Sequence, residues 1–106
     1  MSDNEQLNLR DKVEEKIKTV FDPEIPVNIW ELGLIYDVQI TAENDVVVLM
    51  TLTAPNCPEA ERIPVDVEKA IKLIHDVNKV KVIITFDPPW ERSMMSDAAK
   101  LQLGFF

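Results

Sequence analysis

Val46-Val47-Val48-Leu49-Met50-Thr51-Leu52-Thr53 runs directly into Ala54-Pro55-Asn56-Cys57-Pro58, and this stretch decides the fold. An unbroken apolar run rich in β-branched residues reads as a strand, Val46–Thr53, buried at the centre of a sheet. Upstream, Leu34–Thr41 reads as a second strand, with Ile35, Tyr36, Val38 and Ile40 supplying β-type side chains. Only Ala42-Glu43-Asn44-Asp45 separates the two, so they form an antiparallel hairpin. Downstream of the Cys57 loop, Val67, Ala70, Ile71 and Ile74 share one helical face, and Pro64 suits the first turn of that helix. Val80–Phe86 is the third strand, ended by Asp87-Pro88-Pro89-Trp90. A helical crossover between the second and third strands allows them to pair in parallel.

The flanks complete the pattern. Leu9, Val13, Ile17 and Val20 recur at helical spacing among charged residues, which predicts an amphipathic first helix. Asp22-Pro23-Glu24-Ile25-Pro26 ends it, because a residue before proline is pushed out of the helical region. Asn28–Gly33 reads as a short helical turn closed by glycine, and Ser96–Leu103 as a final helix stopping at Gly104. The expectation is one domain over residues 1–106, of α/β (α+β) class. It has α-β-β-α-β-α order and a small three-stranded mixed sheet with helices packed over it.

Acidic residues outnumber basic ones 19 to 11, for a formal charge of −8. Phosphate backbones and anionic bilayers select the opposite balance, so nucleic acid and membrane are not the expected partners. A single cysteine allows no intrachain disulfide. The N-terminus is polar and acidic, unlike a signal peptide, and no apolar run reaches the ~20 residues of a membrane span. The chain is therefore expected to be cytoplasmic, in a reducing compartment.

Few residues carry chemistry. Cys57 stands between two prolines in the loop that joins the central strand to a helix. Were that helix to begin at Pro58, Cys57 would be its N-cap, where free backbone N–H groups favour thiolate. Glu59 and Glu61 act against that, and the plainer reading is a small buried hydrophobe. Iron–sulfur clusters generally take four ligands, mostly thiolates, and one chain offers one. A cluster bound through Cys57 would be shared with a second chain or a partner, and therefore labile.

Asp22, Glu24 and Glu31 are three carboxylates around one proline-rich loop, suited to a hard metal or to capping the adjacent backbone. Trp90, on a rigid loop, is either a partner anchor or a lid on the core, and Trp30 and Phe105-Phe106 share that ambiguity. An exposed Phe-Phe end hints at docking or a homodimer. Thr51 and Thr53 alternate along the strand toward Cys57, on one face, and are placed to orient its loop. His75, the only histidine, reads as a solvent-facing residue at a helix C-terminus. Phosphate loops, Cys-x-x-Cys, His-Glu-x-x-His and Gly-x-Ser-x-Gly are all absent from the sequence.

Three segments carry a resemblance: Asp22–Asp37, Met50–Pro58 and Phe86–Trp90, with the ending Met95–Gly104. In order and spacing they resemble the SufT/PaaD-like metal–sulfur cluster assembly domain family. The resemblance implies a compact fold similar to NifU C-terminal domains and a role in building or delivering iron–sulfur clusters. It implies that Cys57 is the thiol of the cluster site, with Asp22, Glu24 and Thr53 supporting it. Ala54 stands where some relatives carry a second threonine. The extra C-terminal cysteines of the phenylacetate-pathway branch and the NifU-type Cys-x-x-Cys site are both missing.

The expected function is a non-enzymatic maturation factor that works through Cys57. Its partners would be the iron–sulfur assembly machinery and client apoproteins. Two alternatives stand beside it: an adaptor that recruits clients without touching the cluster, and a thiol redox protein.

Overall fold

The computed structural model describes residues 2–22 (side chains from Leu9 onward), 25–53 and 61–104. Its elements follow the expected order: α1 (Ser2–Ile17), β1 (Ile35–Ile40), β2 (Val46–Met50), α2 (Arg62–Lys72), β3 (Val80–Ile84) and α3 (Asp97–Leu103), with one turn of 3-10 helix at Arg92–Met94. The sheet order is β1-β2-β3, so the apolar run does occupy the centre. β1 and β2 pair antiparallel, while β2 and β3 pair in parallel with Val46 opposite Val80 and Met50 opposite Ile84.

Each boundary has a local cause. α1 ends at Ile17, so Val20 lies beyond the helix although it is as buried as the helical Leu9, Val13 and Ile17. Its N–H still bonds to the Ile17 carbonyl at 3.0 Å, in a tightened last turn. The tight connection between β1 and β2 passes through Asn44 at φ 63°, a conformation that asparagine tolerates. α2 begins at Arg62, two residues before Pro64, which therefore sits in the first turn where its missing N–H costs nothing. α3 is capped at both ends. The Ser96 hydroxyl accepts from the Ala99 N–H, and Gly104 closes the helix at φ 76°.

The strands are shorter than the sequence predicts. β2 stops at Met50 rather than Thr53, and β3 at Ile84 rather than Phe86. Beyond Met50 the in–out alternation fails, since Met50, Thr51 and Leu52 are all buried in succession.

Val46, Val48 and Met50 point to the helix-covered side of the sheet and join Val38 of β1 in the core. Ile63, Val67, Ala70 and Ile71 of α2 and Val13 and Ile17 of α1 cover them. α2 lies on β3 and on α1. Arg10 of α1 ties to the sheet, its guanidinium donating to the Val38 carbonyl at 2.9 Å.

Ile71 and Leu73 give a direct test of this core. Ile71 is fully buried, and Ile71→Ala should cost about 2–5 kcal/mol in urea denaturation with an unchanged m-value. Leu73, at the end of α2, is 74% exposed, and Leu73→Ala should stay within about 0.5 kcal/mol of the parent.

Candidate functional site

The parallel pairing brings the chemistry-bearing segments to one end of the sheet. β2 leaves the sheet at Met50 toward residues 54–60, which include Cys57. β3 ends beside it, with the Thr85 N–H donating to the Met50 carbonyl at 2.9 Å. β1 starts there, with the Thr51 N–H donating to the Leu34 carbonyl at 2.8 Å. In open sheets with parallel strands, ligands favour the crevice beyond the strands' carboxyl ends.

Just ahead of β1, the Asn28–Gly33 segment forms the helical turn read from the sequence. The Leu32 N–H reaches the Asn28 carbonyl, the Leu34 N–H reaches the Ile29 carbonyl, and Gly33 takes φ 80°. Its cap is Asn28, whose side-chain oxygen accepts from the Glu31 N–H at 3.0 Å, and not Asp22. Asp22 is 6% exposed and performs a different local task, accepting from the Ile25 N–H at 3.2 Å. A bridge between Phe21 and Asn28, and a bond from the Ile29 N–H to the Val20 carbonyl, close the loop that carries it.

The segment after β3 crosses this end of the sheet and docks on the turn. The Trp90 indole N–H donates to the Leu32 carbonyl at 2.7 Å, and the Ser96 N–H donates to the Glu31 carbonyl at 2.8 Å. A Cβ on Gly33 would overlap the Met94 carbonyl oxygen and lie 2.8 Å from its carbon. Tyr36 joins from β1. A bulge between Ile35 and Asp37 sets it apart from the ladder, and its hydroxyl donates to the Pro88 carbonyl at 2.7 Å.

Among the residues expected at the site, Trp90 is half-buried against the core with its indole N–H satisfied inside the chain, as a lid would be. Thr51 is fully buried, and its hydroxyl makes only a long 3.5 Å contact with the Leu52 carbonyl. Thr53 is partly exposed, and because the alternation stops at Met50, no shared strand face joins it to Thr51. Glu31 is partly exposed. Its charge adds a small pull on Lys18, whose ammonium is raised above its ordinary value chiefly by its hydrogen bond to Glu14, against some desolvation. His75 is exposed after the end of α2, as expected.

Cys57, Glu24 and Phe105-Phe106 lie outside the described residues. α2 has Glu61 at its N-cap, so Cys57 does not cap that helix. Among the described residues, no group of three or more His, Cys, Asp or Glu side chains is placed to hold a metal ion.

The model of the family described as iron–sulfur cluster assembly protein matches residues 10–84. The chain belongs to this family. The match takes in the second half of α1, the sheet and the whole Cys57 loop, as the SufT/PaaD-like resemblance implied. A relative in Porphyromonas gingivalis named Fe-S protein maturation auxiliary factor is 48% identical, over 96% of this chain and 97% of its own. The Staphylococcus aureus Fe-S protein maturation auxiliary factor SufT is 39% identical, over 80% of this chain and 97% of its own. A crystal structure of a DUF59 domain from Bacillus anthracis is similar at a TM-score of 0.86 and 37% identity, covering 93% of this chain and 94% of that one. The family model covers the strands and the Asn28–Gly33 turn and stops before the Trp90–Ser96 segment, whereas the fold match to the Bacillus anthracis domain covers 93% of the chain.

Sequence reading assigned Gly33 only the role of a helix stop and gave Tyr36, Met94 and Ser96 no place at the site. Gly33 and Gly104 both have positive φ, but only Gly33 also faces a neighbouring backbone. Gly104→Ala should therefore cost about 1–2 kcal/mol, the left-handed penalty alone. Gly33→Ala should cost measurably more in thermal or urea unfolding, because the 90–96 segment must move as well.

Proposed function

We propose that this protein is a non-enzymatic maturation factor for iron–sulfur proteins, assisting cluster assembly or delivery to client apoproteins, with Cys57 as its working thiol. The observation that carries this reading is the convergence, at one end of the sheet, of the strand leading to Cys57, the Asp22 loop, the Asn28–Gly33 turn and the Trp90 segment. The names of the relatives, as auxiliary factors of Fe-S protein maturation, support it.

The physical logic is one of transient contact. A lone thiolate supplies at most one of the ligands that a cluster needs, so the cluster is cargo completed by thiols from another chain or a small molecule. Such a cluster leaves easily, which suits transfer and does not suit storage or electron transport. Asp22 acts by holding its loop through the Ile25 N–H, while Glu24 and Thr53 are the supporting residues that the family resemblance assigns to the thiol site. The partners are the assembly machinery and the client apoproteins. The compartment is the reducing cytoplasm, where Cys57 stays a thiol. No helix among the described residues is long and apolar enough to cross a membrane.

The test is the activity of an iron–sulfur client enzyme in cells lacking this gene, complemented at equal protein level. Wild type should restore activity, and Cys57→Ser should not, while keeping the parent's circular dichroism and melting temperature. Equal restoration by both would remove the thiol from the mechanism. Restoration by neither would remove the maturation role for that client.

A further inference from the structure

The two edges of the sheet are treated differently. On β1, the outward Val38 carbonyl is taken by Arg10 of α1. On β3, the bonds from the Val46 N–H to the Lys79 carbonyl and from the Thr85 N–H to the Met50 carbonyl fix the phase of the parallel ladder. Lys81 and Ile83 then turn their backbone groups toward β2, and Val80, Val82 and Ile84 turn theirs away from the sheet. Among the described residues nothing takes up those outward N–H and C=O groups.

Edge strands are normally blunted by proline, a bulge, a charge pointing inward or a run of lysines along the edge. β3, Val-Lys-Val-Ile-Ile, has no proline or bulge, and its one charge, Lys81, is on the side away from the core. Val80, Val82 and Ile84 pack against the core yet stay partly exposed, and Ile83 on the other face is 39% exposed.

We infer that β3 is the pairing edge for a second copy of this chain, joined antiparallel about a two-fold axis through Val82. The strand is complementary to itself in this register. Val82 faces its own copy, and Val80 faces Ile84 of the other chain. These are the residues with outward backbone groups, so each pair exchanges N–H···O bonds in both directions. On the helix side three apolar pairs close over the half-buried edge. On the open side Lys81 lies across from Ile83, so its methylene stem covers the exposed isoleucine and the two lysines do not face each other. The result is one continuous six-stranded sheet.

The antiparallel join has a consequence for the site. It places the two carboxyl ends of β2, and the departures toward the two Cys57 loops, at opposite ends of the joined sheet, on the order of 20 Å apart.

The experiment is sedimentation equilibrium of the full chain from micromolar to submillimolar concentration, at about 0.15 M ionic strength, where exposed charges are screened beyond about 8 Å. Wild type should reach twice the 12.1 kDa chain mass. Val82→Pro removes an outward N–H while leaving the β2 ladder intact, and Ile83→Lys sets lysine against Lys81 of the copy. Both variants should sediment at 12.1 kDa and keep cooperative unfolding. Hydrogen exchange of the Val80, Val82 and Ile84 amides should slow with concentration in wild type alone. Wild type at 12.1 kDa throughout, or dimers that survive both substitutions, would overturn the inference. So would an edge that captures an extended client peptide but not its own copy.

Discussion

Gly33 and Met94 meet backbone to backbone, and the site end of the molecule depends on that approach. The turn before β1 presents the carbonyls of Glu31 and Leu32 outward, as the last turn of any helix does. Here they are satisfied by the Ser96 N–H and the Trp90 indole, from a segment some 60 residues further along the chain. Only a residue without a Cβ lets the two backbones come close enough, and only a left-handed turn aims both carbonyls at the incoming chain. The same docking buries Met95 and Ala99 and brings α3 against the loop that carries Asp22, where Gln102 donates to the Pro26 carbonyl at 3.2 Å.

This arrangement explains why a small protein can keep a polar end well formed. Asp22 and Thr51 are buried polar residues near the carboxyl end of the central strand; Asp22 accepts from the Ile25 N–H, and the Thr51 N–H donates to the Leu34 carbonyl. Buried polar groups without partners would cost several times what such bonds contribute. The core beneath is built from β-branched and leucine side chains with little exposure, so the strain of holding irregular loops is carried by a regular base.

The fold was largely legible in the sequence because each signal was local and physically direct. The apolar run at Val46 placed the central strand, the short link at Asn44 gave the hairpin, and Ser96 and Gly104 marked both ends of α3. Strand ends were read too long, since composition continues past Met50 and Ile84 whereas pairing does not. The start of α2 near Pro64 was read to within two residues, because proline is tolerated throughout a first turn and so marks the turn and not the residue. At the site, Asp22 was picked out, but its partner was not. Carboxylate and amide caps look alike in sequence, and only coordinates show Asn28 taking the Glu31 N–H. The Tyr36 hydroxyl bond to Pro88 depends on a bulge and on a contact between distant segments, neither of which leaves a local pattern.

The parallel pairing of β2 with β3 also sets an order of assembly. The hairpin of β1 and β2 closes across a few residues, whereas Val46 must wait for Val80, and Leu32 for Trp90. Distant pairings pay their loop-closure entropy before they return any contact energy. On a ribosome, the hairpin and α1 emerge together, yet the end of the sheet where β2 departs gains the contacts of Trp90 and Ser96 only after those residues have been made. Nascent chains thus pass through a stage in which Cys57 has been made but the Trp90–Ser96 segment that completes this end of the sheet has not.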